Sequence, residues 1–288
     1  MPTHQQSLLQ LHFAVLLFGG TALFAKLIGL PALDITVYRT VIAAVCLFLL
    51  LAVSKKQLKL NSFKDYKMAL MLGALMGIHW VTYFSGMQMA GITIGMIAFF
   101  TYPVITVFLE PIVHKSRPKQ KDIISALVVV LGIYLLIPEA NLGNQVTMGI
   151  VTGIISACFF AFRNIIHKRH FSHYSGRLTM MYQTIVASLM LCLFVEVPPM
   201  KVSVNDWWLI LLVGVVFTAM PHSLFASSLR NLSATTAGLI SCLQPLYGSL
   251  FAFVILAEQP SFLTILGGTM VVSAAFFETW SVSRKSHS

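Results

Sequence analysis

The chain has 288 residues, 57% of them hydrophobic and only 10% charged, with a formal net charge of +10. A soluble globular domain carries about 25% charge, so this composition excludes an ordinary water-facing surface. The positive balance does not point to nucleic acid either, because the basic residues lie in short loops between apolar blocks, as membrane insertion arranges them.

Ten apolar blocks follow one another, at 9–28, 32–53, 66–86, 92–112, 122–138, 148–167, 178–197, 207–227, 234–256 and 261–280. Each has about the length that carries a helix across roughly 30 Å of hydrocarbon. Runs such as LFLLLAV and WWLILLVGVVF do not alternate apolar with polar residues, which argues against barrel strands. No Lys or Arg precedes the first block, so it lacks the basic region of a signal peptide and is expected to stay in the protein. The expected fold is an all-α polytopic membrane protein of ten transmembrane helices.

In chain order, the blocks carry a small set of polar and charged residues. Lys26 lies near the end of the first, and Asp34 and Arg39 open the second. The third holds His79, Trp80 and Tyr83, with His79 and Tyr83 on one helical face. That face offers stacking area and hydrogen bonding for an organic solute. The fourth contains FFTYP, with Thr101, Tyr102 and Pro103, and ends near Glu110. Arg163 and Asn164 lie in the sixth, Pro221 and His222 in the eighth, and Gln244, Pro245 and Tyr247 in the ninth. Intramembrane charges (Lys26, Arg39, Glu110, Arg163) are costly and need a reason. The prolines 103, 221 and 245 are expected to kink their helices, with neighbouring polar groups satisfying the freed carbonyls. Three small-xxx-small pairs, Gly73/Gly77, Gly91/Gly95 and Gly149/Gly153, read as close helix packing. The four cysteines lie in apolar blocks without metal or redox spacing, and no nucleotide, zinc or hydrolase motif occurs. No cofactor, metal or catalytic group is expected.

Loop charge alternates. Fifteen of the 19 basic residues fall on one side, in the loops after the second, fourth, sixth, eighth and tenth blocks, while the opposite loops hold only Lys201. The positive-inside rule then places both termini in the cytoplasm. The chain also matches itself at an offset of 142 residues. Lys26 meets Lys168, Tyr66 meets Trp208, Thr93 meets Thr235, Pro103 meets Pro245 and Trp80 meets His222, whereas Arg39 meets Met181. The offset divides the chain at about residue 140, into 1–140 and 141–288. Five helices per half is an odd number, so the halves enter the membrane in opposite senses, as inverted repeats of transporters do.

The Gly19–Gly20 region with Lys26, Arg39 early in the second helix, GMQMAGITIGMIAFFTYPV, and LSATTAGLISCLQPLYGSLFAFVILAEQP together resemble the EamA family of the drug/metabolite transporter superfamily. The resemblance spans nearly the whole chain as two EamA-type halves. It implies a multi-pass protein of the bacterial inner membrane that moves small organic metabolites, often amino acids or related compounds and often outward. It also implies a central cavity lined by both halves, and makes helices 5 and 10 dimerisation or peripheral elements. The expected partners are therefore the bilayer, a small organic solute and, through those helices, a second copy. Uphill export would call for proton coupling, with His79, His222 or Glu110 as carriers. A channel would show a continuous polar stripe, and a scaffold or sensor would pass no solute.

Overall fold

The computed structural model describes residues 3–115, 120–135 and 144–256, with 262–263, 265–267, 269–270, 273–274 and 277 beyond them. Its regular structure among these residues is helical. α1 (His4–Thr21) begins at a reciprocal cap, the Thr3 hydroxyl accepting from the Gln6 N–H while the Gln6 side chain accepts from the Thr3 N–H. The first helix thus starts five residues before its predicted block, and it breaks at Ala22–Leu23 before the short α2 (Phe24–Leu27). Pro31 opens α3 (Ala32–Val53). Ser62 caps α4 (Phe63–Ala90), which ends where Gly91 adopts φ +84°, a conformation glycine enters without penalty. Next come α5 (Ile92–Phe99), α6 (Tyr102–His114), α7 (Gln120–Leu135), α8 (Asn144–His170) and α9 (Gly176–Leu191). The eighth predicted block is built from α10 (Val204–Gly214), a five-residue π turn (Val215–Ala219) and α11 (Met220–Ser228). α12 (Ala234–Ser241) and α13 (Gln244–Leu256) form the ninth.

The chain is an integral multi-pass membrane protein. Among the described residues seven helices are long and apolar enough to span a bilayer, corresponding to predicted blocks 1, 2, 3, 6, 7, 8 and 9. The fourth block is split between α5 and α6, α7 is described for 16 residues, and half of the tenth lies outside the described residues. Arg117, Lys119, Arg284 and Lys285 of the charge pattern also lie outside them.

Burial is inverted relative to a soluble protein. Leu9, Phe13, Val45, Phe48, Leu49, Leu127, Leu131 and Val254 are exposed, whereas Asp34, Thr36, Arg39, Arg163, Asn164, Gln183 and Thr184 are buried. Lipid tails are as apolar as leucine, so the helices associate through close packing and hydrogen bonds rather than by escaping water. Small residues supply the close approach. A Cβ built on Gly149 would lie 2.4 Å from the Ala90 Cβ, and one on Gly153 would lie 2.6 Å from the Ala98 Cβ. Gly149→Val is therefore expected to destabilise the α4–α8 contact by about 3 kcal/mol, the upper end for overpacking, as measured by unfolding in mixed detergent micelles.

The helix contacts come in matched sets. α4 packs on α8, and α11 packs on α1. α4 packs on α9, and α3 packs on α10 and the π turn. α5 and α6 lie on α8, while α12 and α13 lie on α1. Between these elements the side chains converge on one internal cavity.

Candidate functional site

Unbroken helices (α3, α4 and α8) and interrupted ones (α5–α6, the π turn with α11, and α12–α13) surround the cavity. The sequence leads one to expect kinks at Pro103 and Pro245. The helical hydrogen-bond ladder is interrupted at both, at Phe100 and Thr101 between α5 and α6 and at Cys242 and Leu243 between α12 and α13, while Thr101 and Cys242 keep right-handed helical backbone angles. Each proline then occupies the first turn of the second piece, where its missing N–H costs nothing. Thr101 donates to the Ala98 carbonyl (2.7 Å), satisfying one group freed by the break. Pro221 lies in the first turn of α11, directly after the π turn.

The cavity measures about 30 Å³, room for about two waters. Its wall is organised by pairs 142 residues apart. Phe18 and Phe160, Trp80 and His222, Tyr83 and Phe225, Phe99 and Ser241, and Tyr102 and Gln244 all line it. Trp80 and His222 also touch each other, the indole N–H donating to His222 Nε2 at 3.1 Å. Three lining residues have no lining mate at that spacing: Thr21, Arg39 and His79. The rings pack closely, with Phe99 stacked on Tyr102 at 4.9 Å and Phe160 edge-on to Tyr102 at 4.9 Å.

The polar groups are held by specific bonds. Ser156 donates to the His79 carbonyl (2.9 Å) and sits 2.8 Å from His79 Nδ1. That hydroxyl proton is already committed, so Nδ1 carries the imidazole proton and donates. His222 accepts from Trp80 at Nε2, so its own proton sits on Nδ1. Gln244 donates to the Tyr83 hydroxyl at 3.5 Å.

Arg39 is fully buried. Its Nη1 donates to Thr218 (3.3 Å), and its Cζ lies 4.5 Å from the Phe84 ring centroid and 5.1 Å from that of Trp80. Asp34 is not its partner. Five residues apart on a helix is about 140° of rotation, and Asp34 instead accepts from the Glu196 and Val197 N–H groups at 3.1 and 2.8 Å. Arg163, also fully buried, donates to Gln183 (2.8 Å), Asn164 (2.9 Å) and the Met180 sulfur (3.1 Å). Among the described residues no carboxylate lies within 4.0 Å of either guanidinium.

Of the residues singled out in the sequence, the fold brings His79, Trp80, Tyr83, Tyr102, His222, Gln244 and Arg39 to the cavity. Thr101, Asn164, Tyr247, Lys26, Glu110 and Arg163 do not line it. Lys26 is exposed, Asn164 serves Arg163, and Tyr247 packs against Gly19. Phe18, Thr21, Phe99, Phe160, Phe225 and Ser241 line it without having been singled out. The 142-residue offset carried that signal, since Phe225 follows from Tyr83 and Ser241 from Phe99.

Glu110 binds a helix end. Its carboxylate accepts from the Ala234 N–H (3.0 Å), the Thr235 N–H (2.8 Å) and the Thr235 hydroxyl. Ser233 accepts from the Thr236 N–H (2.9 Å). All three N–H groups of the first residues of α12 are thereby satisfied, two of them by a charge at the positive end of the dipole. Glu110→Ala is expected to cost about 2 kcal/mol, read as a lower melting temperature in detergent.

Residues 6–137 and 147–280 each match the EamA-like transporter family. The chain is 22% identical over 270 residues to the uncharacterized transporter YxxF of Bacillus subtilis, covering 92% of this chain and 86% of that protein. It is 21% identical over 246 residues to the pseudopaline exporter CntI of Pseudomonas aeruginosa, covering 85% of each. A solved crystal structure of a protein superposes with a TM-score of 0.81 at 16% identity, over 98% of this chain and 99% of the other. At that identity the likeness speaks for the fold alone. Members of the matched family are transporters rather than enzymes. With two matches that together span most of its length, the chain belongs to the EamA-like transporter family of the drug/metabolite transporter superfamily.

Proposed function

We propose that the chain is a secondary transporter of the bacterial plasma membrane that carries small organic metabolites by alternating access. The cavity between two inverted five-helix repeats, 1–140 and 141–288, is its solute site. One observation carries this reading: ten of the side chains lining the cavity form five pairs at a single sequence offset. A wall built twice from equivalent positions can open to either side by the same motion. The matched helix contacts and the two family matches support it further. The Ser62–Asp65 and Ser203–Asp206 caps, 141 residues apart, open corresponding helices of the two halves.

A cavity for about two waters is too small for a metabolite, so this conformation is contracted and the walls separate to admit solute. Export fits the Pseudomonas relative, a pseudopaline exporter, and amino acids or related compounds are the first solutes to try. If export is proton-driven, His79 and His222 are the cavity groups that can take up a proton. His222 must first release the Trp80 N–H. Purified protein in liposomes, offered labelled amino acids, other metabolites and cationic drugs with and without a pH gradient, is expected to show saturable flux of one class. Absence of saturable flux for every class would sink the transporter reading.

A further inference from the structure

We infer that Arg39 is the receptor for a carboxylate on the transported solute. The inference deepens the transporter reading and rests on the same cavity. A guanidinium buried at membrane depth needs a counter-charge or a full set of acceptors. Arg39 has neither. It is 0% exposed, only Nη1 has an acceptor, and its Nε and Nη2 have no hydrogen-bond partner. Those two nitrogens form one edge of the planar fork, the edge that meets both oxygens of a carboxylate in parallel. The Trp80 and Phe84 rings hold the group in place beside the cavity. One cation offsets one negative charge, so a monoanionic carboxylate suits the site better than a phosphate dianion, which would leave net charge in a dry pocket.

The position of Arg39 in the repeat supports the same conclusion. Ten lining residues are matched across the 142-residue offset, yet Arg39 is matched by Met181, which does not line the cavity. A group that orients a polar solute must occur once, because the solute has one charged end. The surrounding rings, Phe18, Phe99, Phe160 and Phe225, then take an apolar body at the other end.

The test measures binding separately from transport. Full-length protein in detergent is melted in the presence of benzoate, 3-phenylpropionate and N-acetyl-L-leucine, each against its primary amide at equal concentration. In the native protein at least one carboxylate is expected to raise the melting temperature while its amide does not. Arg39→Gln is expected to lower affinity for that carboxylate about 30-fold or more, and Arg39→Lys, which keeps the charge and loses the fork, by less. Without ligand, Arg39→Met is expected to melt no lower than the native protein, since it removes an unpaired buried charge; a structural arginine would melt lower. If amides stabilise the native protein as well as their acids, or if no acid of the set stabilises it, the proposal is overturned. Liposome flux then separates the two readings. Binding through Arg39 without flux keeps the carboxylate receptor and rejects the transporter, whereas equal flux of acid and amide rejects only the receptor.

Discussion

Trp80→Ala is expected to destabilise the protein by about 3 kcal/mol and to abolish solute binding. Trp80 is 1% exposed and is among the largest fully buried side chains. Truncating a buried tryptophan in a soluble core costs about 3–5 kcal/mol. The low end applies here because the unfolded reference is also in lipid, so the loss is mainly packing rather than transfer from water. Two neighbours lose specific partners as well. His222 Nε2 loses its donor, and Arg39 loses one of the two rings that flank its charge. Unfolding in mixed micelles gives the first number, and binding to the folded fraction gives the second. A variant that keeps native stability and native affinity would show that the cavity is not organised around this side chain. Trp80→Phe keeps ring area and removes only the donor, so it should retain most of the stability and separate the two effects.

Gln183→Leu is expected to cost about 3 kcal/mol, through Arg163. Its side-chain oxygen accepts the Arg163 Nε at 2.8 Å, in a region where both residues are fully buried. Losing an acceptor from a buried charge costs more than losing one from a neutral donor. Asn164 and the Met180 sulfur remain, and neither can turn to cover Nε without leaving its own nitrogen. The sign reverses in the double variant. Arg163→Met in the Gln183→Leu background removes the charge that needed the acceptor, so stability should return to within about 1 kcal/mol of native. Equal destabilisation by the single and double variants would mean that Gln183 acts by shape alone.

Much of the site was legible in the sequence, for a physical reason. A polar or charged side chain inside an apolar helix has few places to go, so His79, Trp80, Tyr83, Tyr102, His222 and Gln244 stood out and converge on the cavity. Phenylalanine carries no such signal. Phe18 and Phe160 line the cavity while Phe13 and Phe162 face outward, and composition cannot separate them. Only the offset could, by pairing Phe18 with Phe160. Arg39 was visible as a charge, but the partners of Asp34, the Glu196 and Val197 N–H groups 162 and 163 residues away, were not. Glu110 was visible too, but its acceptors' donors lie 124 and 125 residues away at the start of α12, a contact no local pattern encodes.

The contact between Trp80 and His222 has an implication for how such a chain can arise. On the two-repeat reading these are the same position in each half, and they meet where the halves' symmetry axis passes. Two separate, identical subunits would place a residue opposite its own copy there. Tryptophan facing tryptophan offers two N–H groups and no acceptor. Joining both copies in one polypeptide frees the two positions to diverge, so that a donor can face an acceptor. The Trp80–His222 bond is therefore available to this single chain and not to a pair of identical halves.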